Sequence, residues 1–166
     1  MASSNSVVIF GASGNVGQYV VPALHKAGVK VTVVTRKGSN TTFSYENATV
    51  ATTDYSSQSE LVSIIRGHAS VISLLSAGAL PLQRNLIDAA IEAGATFFIP
   101  SEFGHDTTNE DVTSLLPIFS VKSGITTYLQ EKEKDGLSWT GIITALFFDW
   151  VDHHFLSHNL IAGNAQ

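Results

Sequence analysis

Val7-Val8-Ile9-Phe10-Gly11-Ala12-Ser13-Gly14-Asn15-Val16-Gly17 is the stretch that decides the fold. An apolar run stops at a glycine loop, and a helical pattern starts directly behind it. The run reads as a buried strand and the loop as the first βα turn of a nucleotide-binding sheet. Gly11 permits the tight turn, Gly14 lets a phosphate approach the backbone, and Gly17 lets the helix pack on the strand. Ser13, Asn15 and Val16 lie where the exposed N–H groups and the dipole of a helix start hold phosphates. The spacing is G-x-x-G-x-x-G rather than the G-x-G-x-x-G of the dinucleotide fingerprint. A plain glycine turn has the same composition, but strand before and helix after, at this distance, favour the nucleotide.

Working outward, Val16, Val20, Val21 and Leu24 recur at helical spacing and stop near Gly28, with Pro22 placed early enough to distort this helix without ending it. Residues 29–35 form a β-branched second strand, and 48–53 a short third strand ending at Asp54. Ser57 and Glu60 cap the next helix, whose stripe is Leu61, Ile64 and Ile65. Residues 69–75 are a continuous apolar strand, followed by the small-residue loop Ser76-Ala77-Gly78. A helix with the face Leu82, Leu86, Ile87, Ala90 and Ile91 stops at Gly94. A fifth strand over 95–99, a polar segment to Pro117, a helix over 118–134 and a strand over 139–146 complete the order. Strands that are apolar without alternation, separated by helices, predict a parallel sheet covered on both faces. The expected class is α/β, a three-layer doubly wound Rossmann sheet of order 3-2-1-4-5-6, with ligands beyond the carboxyl ends of its strands.

Composition narrows the partners. The 166 residues fit one domain, and 44% hydrophobic content with positive mean hydropathy excludes a disordered chain. A net charge of −5 without a basic run argues against nucleic acid and anionic membrane surfaces, which need clustered Lys and Arg. The absence of Cys excludes disulfides, thiolate metal sites and cysteine nucleophiles. The opening residues resemble neither signal nor transit peptide, and no apolar run approaches a membrane span, so a cytoplasmic protein is expected.

The loops beyond the strands carry the chemistry. The second strand ends in Arg36-Lys37, where a site for NAD places an acid; basic residues there suit the 2′-phosphate of NADP. Asp54 suits either an adenine contact or a turn, and the small Ser76 and Ala77 suit a cofactor passing close by. In the helix from Ile118, Lys122 falls inside the apolar face formed with Val121, Ile125, Tyr128 and Leu129. It either buries its stem and snorkels its amine to water, or aims a desolvated amine at the site for proton transfer. Ile118 stands where Tyr-x-x-x-Lys would need its tyrosine, so that tyrosine-driven mechanism is excluded. Asp149, Asp152, His153, His154 and His158 lack the Glu of H-E-x-x-H and are read as polar surface; no metal is expected.

The glycine loop with Thr35-Arg36-Lys37, Gln83, the segment from Phe98 to Asp106 and Lys122 resembles the NmrA-like/isoflavone reductase group, an atypical branch of the short-chain dehydrogenases, over residues 6 to about 160. Phe147-Phe148-Asp149-Trp150 is reminiscent of its fungal members. The resemblance implies NADP(H) as cofactor, Lys122 as catalytic group, Ser101, Glu102 and Phe103 at the floor of the site, and Phe148 near the nicotinamide. It also implies hydride transfer from NADPH to a small aromatic substrate, with Lys122 as proton donor or base. Family members continue into a C-terminal lobe that closes over substrate, so residues 1–166 are expected to form the cofactor domain, with 147–166 starting a truncated lobe. That departure raises a second expectation, a non-catalytic NADP(H) sensor that binds a protein partner. A site without a water-excluding lid is a poor setting for hydride transfer.

Overall fold

The computed structural model describes residues 3–39, 43, 48–145 and 147. Its six strands lie in one parallel sheet of order β3-β2-β1-β4-β5-β6, the predicted doubly wound arrangement. In chain order these are β1 (Ser3–Phe10), β2 (Lys30–Arg36), β3 (Thr49–Thr53), β4 (His68–Ser73), β5 (Phe97–Ile99) and β6 (Ser138–Trp139). The helices are α1 (Gly17–Lys26), α2 (Gln58–Ile65), α3 (Gln83–Ala93), α4 (Glu110–Thr113) and α5 (Pro117–Lys132).

β1 sits at the centre because its residues suit burial on both faces: Val8, Ile9 and Phe10 are fully buried. Alternate side chains feed two separate cores. On one face Val8, Phe10, Val34, Val71 and Phe98 pack under α2, α3 and α5, through Leu61, Ile65, Leu86, Ile87, Ile125 and Leu129. On the other, Val7, Ile9, Val31, Val33 and Ile72 meet Val20, Val21 and Leu24 of α1. Phe97 and Ile99 of β5 point to that second face and are only partly buried. Coverage of the two faces is therefore unequal, since α1 lies over β1 and β2 while three helices cover the opposite side.

The helix limits follow local chemistry. Ser57 caps α2 by accepting from the Glu60 N–H, and Pro117 starts α5 where its missing donor is not needed. Gly94, at φ 80°, ends α3 in the left-handed region. Pro22 is accommodated within α1, which runs unbroken to Lys26.

Beyond shifts of one or two residues at the other element ends, four features differ from expectation. β1 begins at Ser3 rather than Val7, because Ser3 pairs with His68 across a register shift. The loop expected at residues 76–78 leads into a 3₁₀ helix, Ala77–Leu82, in which Leu80 is buried. The polar segment before Pro117 contains α4, capped by the Asn109 side chain. β6 is two residues long instead of eight, with one further bridge among the described residues, between Gly104 and Ile143. Beyond Trp139 the chain keeps contact through backbone bonds from Thr144 and Ala145 to the Gly104 carbonyl instead of a continuous ladder.

Candidate functional site

The carboxyl ends of β1, β4 and β5 open onto a cavity of about 250 Å³ whose wall includes Gly14, Asn15, Val16, Leu74, Ser76, Ala77, Ser101, Glu102, Phe103 and Lys122. Nine of the residues singled out in the sequence, drawn from three loops and one helix, thus meet in one place. Gly11 and Gly17 shape the loop from behind it, and Ser13 is an exposed residue of the turn.

The three glycines do different work. Gly11 has φ +81°, and a Cβ there would lie 2.4 Å from the Leu74 carbonyl oxygen. At Gly17 a Cβ would lie 2.1 Å from the Ala12 oxygen, so helix and strand end are in direct backbone contact. Gly14 is unlike both: the nearest atom to an added Cβ, the Gly11 oxygen, is 3.4 Å away. Packing does not require glycine at position 14, which borders the cavity. Val16, at the start of α1, supplies no side-chain cap. An anion can therefore take the place of a capping oxygen there.

Across the cavity the walls are fixed by side chains. Ser101 is buried, and its Oγ both shares a 2.8 Å hydrogen bond with the Ser73 hydroxyl and accepts from the Leu75 N–H at 2.8 Å. Its own N–H donates to Oε1 of fully buried Gln83 at 2.8 Å. Ser101 thus clamps the ends of β4 and β5 to the start of α3, and its hydroxyl is already committed within the protein. Gln83 Nε2 has no partner among the described residues.

The side chain of Lys122 lies along the cavity wall. Its amine donates to the Glu102 carbonyl at the cavity wall instead of running out to water. Burial holds its proton affinity below that of an ordinary lysine, and Glu102 partly opposes this. The acceptor belongs to the peptide preceding Phe103, whose φ of +33° is seldom adopted by a bulky residue. The Glu102 side chain turns the other way. Its Oε2 accepts from Thr107 Oγ1 at 2.8 Å, while Oε1 has no partner among the described residues. Burial raises its pKa, as does nearby Asp106 to a lesser degree, against the Thr107 bond and Lys122. Glu102 also borders a second cavity of about 290 Å³, beside Thr107, Trp139 and Gly141.

Arg36 and Lys37 lie apart, at the end of β2. The Lys37 N–H bonds to the Thr53 carbonyl, and its amine pairs with Glu60 at 2.5 Å. Asp54 takes the turn role: its Oδ1 accepts from the Ser56 N–H, the Ser56 hydroxyl and the Ser57 N–H. Between this corner and the glycine loop stands Tyr55, buried, with φ +68°, its phenol pushed up to about 12 by burial against the opposing effects of Arg36 and the Gly11 N–H. Nothing in the spacing of the sequence marks Tyr55, and Glu60 is legible only as a capping acid. Phe148 and the residues 149–158 weighed for metal lie outside the described residues. Among the described residues no group of three or more His, Asp or Glu could hold a metal, and no helix is long and apolar enough to cross a membrane.

With this geometry in view, the kinship of the chain is clear. Residues 3–162 match the NmrA-like family. Oxidoreductase aprR of Aspergillus flavus is 39% identical over 158 residues, covering 93% of this chain and 52% of that protein. The isoflavone reductase homolog IRL of Zea mays is 29% identical, over 89% of this chain and 50% of its own length. Among solved structures, AtPrR2 with NADP+ and (+)pinoresinol superposes with a TM-score of 0.77 at 24% identity, over 91% of this chain and 53% of that one. An isoflavone reductase crystal structure gives 0.71 at 25% identity, over 93% and 52%. The chain spans about half the length of the relatives it matches. On sequence and on fold alike, it belongs to the NmrA-like family.

Proposed function

We propose that this chain is the cofactor-binding half of an NADPH-dependent oxidoreductase of the isoflavone reductase type, acting on a small aromatic substrate. The observation that carries the reading is the cavity itself. It joins an uncapped helix start and an open glycine on one side to a half-buried lysine amine on the other. Gly14, Asn15 and Val16 fit a pyrophosphate, because Gly14 leaves the wall free of a Cβ that packing would otherwise tolerate. Arg36 fits a 2′-phosphate, which a guanidinium binds through paired, charge-assisted bonds. When bound, the reduced nicotinamide supplies the hydride.

The residues of the chain then orient and protonate. Ser101 and Gln83 fix the floor, and the Glu102 carbonyl holds the Lys122 amine facing the cavity. Desolvation lowers the affinity of that amine for its proton and suits it to exchange a proton with the substrate, as donor or base. The relatives named oxidoreductase and isoflavone reductase homolog, and the neighbour solved with NADP+, support the same reading.

Fluorescence titration of the 166-residue chain with NADPH and NADH tests it. NADPH should bind at least about tenfold tighter, the size of one well-placed charge-assisted contact. Equal affinity removes the role of Arg36, and no binding removes the reading. Oxidation of bound NADPH by aromatic acceptors, followed by stopped flow, then tests turnover. Lys122→Ala should slow that oxidation by about 10²-fold or more while leaving NADPH affinity within about threefold.

A further inference from the structure

Two adjacent cations at the end of β2 stand in different surroundings. Lys37 is anchored at both ends: its N–H is bonded to β3 through the Thr53 carbonyl, and its amine contacts Glu60 Oε1 at 2.5 Å. Glu60 is itself held. Its Oε2 accepts from the hydroxyl of fully buried Thr53 at 3.2 Å, and its N–H is capped by Ser57 at 3.4 Å. Among the described residues no carboxylate pairs with Arg36.

We propose that Glu60 is a specificity-setting residue, holding Lys37 away from a bound 2′-phosphate so that Arg36 alone reads it, which limits the preference for NADPH over NADH. This rests on the NADP(H) reading above. A carboxylate and a phosphate dianion compete for the same ammonium, and Glu60, with its backbone N–H capped by Ser57 and its carboxylate held by the Thr53 hydroxyl, is tethered to the first turn of α2 and does not follow Lys37 toward a ligand. The pair is solvent-exposed, so its intrinsic strength is small and a neutral replacement releases Lys37. Glu60→Gln keeps an oxygen for Thr53 and removes the charge. The ligand class is a 2′-phosphorylated adenine nucleotide, and adenosine 2′,5′-bisphosphate against AMP isolates the contact from the rest of the cofactor.

The test is a titration of the whole 166-residue chain and its variants with NADPH, NADH, adenosine 2′,5′-bisphosphate and AMP, with folding checked by circular dichroism. Glu60→Gln should bind NADPH and the bisphosphate about fivefold tighter, and NADH and AMP within about twofold of the parent. The gain should vanish when Lys37→Ala is added. In the unaltered chain, Arg36→Ala should weaken NADPH binding by about tenfold and Lys37→Ala by much less. Unchanged or weaker NADPH binding by Glu60→Gln overturns the proposal, because Glu60 would then orient Lys37 toward the phosphate. A gain that persists with Lys37→Ala overturns it as well, since repulsion alone would explain the effect. If the parent chain binds neither NADPH nor the bisphosphate, the cofactor reading itself falls. If the parent binds but Glu60→Gln leaves the NADPH to NADH ratio unmoved, only the role of Glu60 does.

Discussion

At the end of β1 the shape of the cavity is set by backbone meeting backbone, with Gly11 against Leu74 and Gly17 against Ala12. At the ends of β4 and β5 it is set by buried side chains, with Ser101 joined to Ser73, Leu75 and Gln83. At Gly11 and Gly17 the first wall tolerates no added atom, whereas the second tolerates no lost one. The two walls therefore fail in opposite ways, which four substitutions can separate.

The largest effect is expected at Gly17→Ala. Its methyl would stand 2.1 Å from the Ala12 carbonyl oxygen, and neither backbone segment can yield without moving α1 from the sheet. Urea denaturation should show a loss of about 3 kcal/mol or more, at the upper end of overpacking costs. Ser101→Ala comes next. It leaves the Leu75 N–H and the Ser73 hydroxyl without their partner in a buried site, and should cost about 2 kcal/mol. Gly14→Ala should barely change stability but weaken NADPH binding by about tenfold, because its methyl stands in the cavity and not in the core. A large stability loss at Gly14 would erase the distinction among the three glycines.

The smallest effect is at Glu102. Burial raises its pKa, so its contribution to stability is fully present below the ordinary carboxylate value of 4.5 and is lost as pH rises through the folded value. Glu102→Gln cannot ionise and keeps an acceptor for Thr107. It should match or exceed the parent at neutral pH by on the order of 1 kcal/mol. That advantage should shrink as pH falls toward 4.5, which thermal melts across pH 4 to 8 would check.

These two walls also differ in how they show in the sequence. The glycine loop, the order of the strands and the positions of the main helices are local signals: a glycine spacing, a run of β-branched residues, a stripe at helical period. All of them were legible. The partners of Ser101 are not, because Ser73, Leu75, Gln83 and Ser101 are brought together from three elements and no spacing relates them. Lys122 was half legible: its place inside an apolar stripe marks it as unusual, but the Glu102 carbonyl that receives it depends on a left-handed Phe103. Glu60 is legible as a capping acid alone, and its pairing with Lys37 across the β2–α2 corner is not, because no spacing relates the two. The eight-residue sixth strand was read from composition, and only Ser138 and Trp139 find a ladder beside the three-residue β5.

Tyr55 has a consequence for motion. Its phenol faces the Gly11 N–H, its ring lies edge-on to Phe10 at 5.7 Å, and its own carbonyl accepts from Asn85 of α3. A bulky residue at φ +68° stays there only while these neighbours hold it. The amide proton of Gly11 is therefore guarded by a residue far along the chain. Its exchange with solvent deuterium should follow the opening of the β3–α2 corner in place of fraying at the loop, coupling two corners of the sheet in one opening event.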